Sequence, residues 1–172
     1  MRQHLPKLLT LICAASVSGW LFASDHEGGR EERNAPAPDN KTWRAECSSC
    51  HTPYPATMLP ERSWRKLMGG LDRHFGENAS LDAAAKKEIA AFLAANAADR
   101  SSSRRARKVA AAIPESQTPL RITETAWFER KHDELAATVW TRKSIGSRAN
   151  CTACHTNANK GSFNENDVRI PR

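Results

Sequence analysis

The run Cys47-Ser-Ser-Cys50-His51 returns near the C-terminus as Cys151-Thr-Ala-Cys154-His155. Two thiols three positions apart can each add to one vinyl group of a single porphyrin, while the next residue turns its imidazole toward the iron. The pattern is therefore the attachment signature of a c-type haem. C-x-x-C pairs also serve zinc sites, dithiols and disulfides, but a zinc site wants four ligands converging on one ion. Here each pair carries its own histidine and the pairs lie far apart in the chain. The expectation is two covalently attached haem c groups, on Cys47 and Cys50 and on Cys151 and Cys154, with His51 and His155 as the first axial ligands.

That expectation answers a shortage in the composition. The chain has 172 residues, 40% hydrophobic but only 6% aromatic. Half a chain of this kind is poorly supplied to fill a core from side chains alone. A buried porphyrin supplies a large apolar body, so the expected fold is all-α, with two small helical haem-binding domains. The net charge of +7 is weak evidence for nucleic acid. Part of it lies in the leader, and haem propionates would offset much of the rest; clustered cations would instead steer an acidic protein partner.

Residues 1–23 have the form of an export signal, with Arg2 and Lys7 ahead of an uncharged apolar run over 8–23. The run falls short of the ~20 residues of a membrane-spanning helix, so cleavage after Gly19 or Ala23 is expected rather than anchoring. Cys13, preceded by Ile12, does not resemble a lipid-attachment site. Haem is joined to thiols outside the bacterial cytoplasmic membrane, which agrees with a periplasmic location. Residues 24–40 read as a flexible lead-in, with His26 solvated.

The first haem domain is placed at 41–97. Asp39 or Asn40 caps a helix leading into the first motif, with Trp43 on the Cys47 face. Pro60-Glu61 opens a second helix, whose stripe Trp64, Leu67, Leu71, His74 runs until Gly76 stops it. An imidazole at the end of an apolar stripe needs a partner. Iron is such a partner, and Met58 and Met68 compete with His74 as the sixth ligand. Ser80 is expected to cap a packing helix with Leu81, Ala85, Ile89, Phe92 and Leu93 inward.

Residues 98–118 read as a basic linker carrying Arg100, Arg104, Arg105, Arg107 and Lys108. It is expected to be solvated, with a docking patch or a clamp on haem propionates as alternatives. Lacking aromatics, it does not suit single-stranded nucleic acid. The second haem domain, 119–172, contains a periodic segment over 125–143 in which Phe128, His132, Leu135 and Val139 share a face beside Trp140. No methionine follows Met68, so His132 is the candidate sixth ligand of the second iron unless one crosses from the first half. The tail 157–172 is expected to wrap the haem edge. Asn164, Glu165 and Asp167 match no calcium loop and read as surface residues.

Trp43-Arg-Ala-Glu-Cys47, Tyr54-Pro55, Leu59-Pro60, Ser63-Trp64, His74-Phe75-Gly76-Glu77, Arg121-Ile-Thr123, Trp127-Phe128, His132 and Val168-Arg-Ile-Pro171 together resemble the bacterial DHC dihaem cytochromes c over about 41–171. The resemblance implies an electron carrier, not an enzyme, whose first domain is similar to a class I cytochrome c. It implies bis-histidine iron in both haems, hence His51 with His74 and His132 with His155. It also implies a membrane-bound b-type cytochrome as donor and a small oxygen-binding monohaem cytochrome as acceptor, with no small-molecule substrate. The readings it competes with are a dihaem peroxidase-like enzyme and a cytochrome subunit of a larger oxidoreductase.

Overall fold

The computed structural model describes residues 38–172; the export signal expected over 1–23 and His26 lie outside the described residues. Within them the regular structure is helical, with no strand beyond isolated bridges at His74/Glu77 and His155/Val168. The all-α expectation therefore holds.

Three helices build the first half. Helix α1, Lys41–Ser48, is capped by Asn40, whose side chain accepts the Trp43 N–H at 2.8 Å. Asp39 instead pairs with Arg44 at 2.8 Å. Helix α2, Glu61–Gly69, starts behind Pro60, and helix α3, Ala83–Ala95, packs against both α1 and α2. Ser80 does not cap α3. The Asp82 carboxylate does, because it accepts two orphan N–H groups, those of Ala84 and Ala85, at 2.9 Å each. Trp43, Leu59, Trp64, Met68, Leu71, Ile89 and Leu93 meet in the core between them. The buried Trp64 indole N–H donates to Ala56 O at 2.7 Å, so its one polar group is satisfied.

Helix α2 does not run on to His74. Two successive glycines, each ~1 kcal/mol worse than alanine in a helix, end it at Gly69-Gly70. A 3₁₀ turn, Leu71–Arg73, follows, and His74 stands outside any helix at φ −73°, ψ 89°. The apolar stripe holds as far as Leu71, which is buried. Beyond it a hairpin turn, not helical periodicity, sets the histidine.

The segment expected as one long helix over 125–143 is two short ones. Helix α5, Ala126–Lys131, is capped by Thr125, and α6 spans Ala137–Trp140. His132 is the residue at which α5 ends. Its Nδ1–H donates to Phe128 O at 2.8 Å, taking the carbonyl that a continuing helix would give to the His132 N–H, which bonds Glu129 O instead. Asp133 and Glu134 then place negative charge at the negative end of the helix dipole, which opposes continuation.

The basic run is not an open, solvated linker. Arg104–Ala111 forms helix α4, capped by Ser103, with its cations on one side and Ala106 and Val109 buried on the other. Val109 and Ile113 pack on Ala98 and Trp127, and α4 lies against the 3₁₀ turn Ala56–Met58. The ends of the segment are tied to α2 as well. Arg100 pairs with Glu61 at 2.5 Å, and the Arg62 guanidinium donates to Gln117 O at 2.7 Å and Pro114 O at 2.9 Å. The two halves also share apolar contacts: Met58 packs with Ala158 and Phe163, while Ile122 touches both this cluster and the first core.

Candidate functional site: two facing imidazole pairs

His51 follows Cys50 at the end of α1, its N–H bonded to Cys47 O at 3.3 Å. Its Nδ1–H donates to Thr52 O at 2.7 Å, which leaves the Nε2 lone pair free and fixes the ring. Tyr54 stacks on the imidazole at 4.9 Å between centroids, 17° from parallel, and its O–H donates to Ala149 O at 2.8 Å. The first motif is thereby joined to the residues just ahead of the second. His74 faces His51 with 6.1 Å between ring centroids and 23° between planes.

The second pair has the same spacing. His155 follows Cys154, its N–H bonded to Cys151 O at 2.8 Å. His132, with Nδ1 committed to Phe128 O, keeps Nε2 free and lies next to His155. The centroids are again 6.1 Å apart, but the planes are nearly crossed, at 81°. Phe128 stacks on His132 at 4.1 Å, Trp140 meets it at 5.7 Å, and Phe163 lies 5.3 Å from His155.

The donor set fits haem iron. Two metal–imidazole bonds of about 2.0 Å plus the two half-rings behind them add up to about 6.3 Å between centroids, close to both observed spacings. Among the described residues no group of three or more His, Cys, Asp or Glu side chains gathers around one ion. Each pair sets two imidazoles 6.1 Å apart, with room between them for one metal ion. The buried Nδ1 of His155 has no hydrogen-bond partner, unlike the Nδ1 atoms of His51 and His132. Burial, with His51 and Arg121 adding to it, holds the His74 imidazole below its ordinary pKa. Burial, with His132 and Arg105, does the same for His155. Both favour the neutral ring that a metal requires. All four described cysteines are free thiols, and burial pushes Cys47 and Cys151 up to about 11.

The structure thus brings His51 to His74 and His132 to His155, and sets each of Cys50 and Cys154 beside one member of a pair. Met68 lies in the α1–α3 core and Met58 beside Phe163. Trp43 packs on Phe92 in the core at 5.2 Å, with Cys47 against the same cluster. Tyr54, Phe163 and the Phe75–Arg121 contact belong to the site without carrying a role that the sequence pattern expresses. The Pro-Tyr-Pro run three residues past His51 was the available signal for the first; the others depend on contacts across the chain.

The sequence profile of the DHC family of dihaem cytochromes c matches residues 43–163. The chain belongs to that family. Its membership brings two covalently bound haem c groups. Among solved structures the chain is similar to a diheme cytochrome c from Rhodobacter sphaeroides, at 46% identity and a TM-score of 0.67, covering 75% of this chain and 100% of that one. It is also similar to the diheme cytochrome sb-DHC of Shewanella baltica OS155, at 38% identity and a TM-score of 0.62, covering 77% of this chain and 93% of that one. No curated protein matches.

Proposed function

We propose that this dihaem cytochrome c is a periplasmic electron relay whose two haems, on Cys47 and Cys50 and on Cys151 and Cys154, are each closed by two histidines. The observation that carries this reading is the equal 6.1 Å spacing of the two imidazole pairs. Each bound haem supplies a one-electron iron couple.

The chain's residues do the rest. His51 with His74, and His132 with His155, would hold the two irons, so oxygen or peroxide would have to displace a histidine to bind. Backbone carbonyls on the Nδ1 atoms of His51 and His132 hold those rings against rotation and raise their basicity. Histidine in place of methionine as sixth ligand lowers the potential, which makes both centres low-potential carriers. Tyr54, stacked on His51 and bonded to Ala149, holds the two attachment motifs at a fixed separation.

The partners are redox proteins: a membrane b-type cytochrome as donor and a small oxygen-binding monohaem cytochrome as acceptor. The export-like sequence over residues 1–23 supports the location. A groove of about 490 Å³ between α4 and α5, rimmed by Lys108, Arg130 and Lys131 over Trp127, gives an acidic partner a positive landing surface. Such contacts are small and wet, and charge acts mainly on their on-rate.

Visible and near-infrared spectra of the oxidised protein test the ligation. Two low-spin haems without the weak red iron–sulfur band are expected, and carbon monoxide should bind the reduced haems only slowly at neutral pH, as a histidine leaves. An iron–sulfur band would move the sixth ligand of one haem to Met58 or Met68. Fast carbon monoxide binding would favour a catalytic or gas-binding protein.

A further inference from the structure

The hairpin that delivers His74 contains the wrong residue for its shape. His74 N–H donates to Glu77 O at 2.8 Å and Glu77 N–H to His74 O at 3.1 Å, closing a two-residue turn. The two residues inside it, Phe75 and Gly76, have φ of 53° and 102°. Successive left-handed residues make a primed turn, for which Asn-Gly is the strongly preferred sequence. Gly76 meets that demand. Phe75 does not, and it is the one non-glycine residue with positive φ among the described residues. An aromatic residue there is strained by contact of its Cβ with the backbone, which Asn relieves with a short polar side chain.

Burial does not repay the strain, since Phe75 is 45% exposed. The ring instead makes two specific contacts. One is with the His74 imidazole, edge-on at 4.8 Å and 62°. The other is with the Arg121 guanidinium, which lies over the ring 4.0 Å from its centroid. Arg121 comes from the start of the second half and is paired with Glu124 at 3.5 Å. The phenyl ring is thus held between the far half of the chain and the imidazole.

We propose that Phe75 is a positioning residue for His74: the turn accepts an unfavourable backbone so that an aromatic ring, pressed by Arg121, walls one side of the imidazole and keeps it on the iron. Residues held in sparsely populated backbone regions persist where the surroundings over-determine them, commonly at functional sites. With the wall removed, His74 would still sit in a well-formed hairpin but would rotate off the metal more often. The proposal rests on the reading that His74 is an axial ligand.

Its consequence has opposite signs in two measurements on the holoprotein. Phe75→Asn relieves the turn, so thermal stability is expected to match or exceed that of the unaltered protein. The same change is expected to speed carbon monoxide binding to one reduced haem by about tenfold, as the population with His74 detached rises. Phe75→Tyr, which keeps the ring, should restore slow binding. Unchanged carbon monoxide kinetics in Phe75→Asn would overturn the proposal, and so would faster binding accompanied by a comparable loss of stability, which marks general loosening. His74→Ala separates this from the ligation reading. If the first haem of that variant stays low-spin and closed to carbon monoxide, the ligand assignment itself falls.

Discussion

Tyr54 holds together two attachment motifs that are distant in sequence, and removing its hydroxyl tests how much of that connection is one hydrogen bond. Tyr54→Phe keeps the ring stacked on His51 and deletes only the donor to Ala149 O, a 2.8 Å bond. Both residues are half-buried, so water reaches the abandoned carbonyl in part. The loss should therefore be about 1 kcal/mol, near the mean for a neutral hydrogen bond rather than the ~3 kcal/mol of a sealed, unsatisfied acceptor. For a domain of this size that lowers the unfolding midpoint by about 3–5 °C. Tyr54→Ala removes the ring as well. Aromatic-to-alanine changes in cores cost about 3–5 kcal/mol, and partial exposure puts this one near the lower end. Guanidinium unfolding of the holoprotein, followed by far-ultraviolet circular dichroism, measures both losses. A Phe variant as stable as the parent would show that the hydroxyl does not join the halves. An Ala variant no worse than Phe would show that the stack on His51 contributes nothing.

Two further outcomes follow from named contacts. Electron paramagnetic resonance of the oxidised protein should show two unlike low-spin signals. Near-parallel imidazoles, as at His51 and His74, donate into one iron d orbital and give a rhombic spectrum, while the crossed pair His132 and His155 leaves two orbitals nearly degenerate and gives a large maximal g value; two identical rhombic signals would refute the ring geometry. Arg65 and Arg100 hold the Glu61 carboxyl below the ordinary 4.5, so the folded state favours its ionised form. The stabilisation is complete above the unfolded value and is lost as pH falls through the lower folded one, so acid unfolding of Glu61→Gln should lack that part of the pH dependence. Identical acid limbs in the two proteins would count against it.

The helix caps illustrate what could be read along the chain and what could not. Asn40 stood directly ahead of an apolar pattern and is the cap. Ser80 looked equally suitable, yet Asp82 wins because a carboxylate serves two N–H donors at once. Ala106, Val109 and Ile113 carry helical spacing in the basic run, but its five cations dominate the sequence pattern; in the fold Ala98 and Trp127 cover Val109 and Ile113. Both histidines expected on apolar stripes do face a motif histidine, but neither lies within a helix. Gly69-Gly70 stops one helix short, and His132 ends the other with its own side chain.

Local chemistry alone settled that two haems are attached, because thioether formation and the first axial bond need only residues adjacent in sequence. Hydrophobic spacing also indicated which elements are helical and which faces turn inward. The orientation of each second imidazole, crossed in one pair and nearly parallel in the other, was decided by packing: by Phe128 and Trp140 around His132, and by Phe75 and Arg121 around His74. Ring rotation is a soft coordinate that no local pattern encodes, so it takes whatever angle the distant side chains leave open.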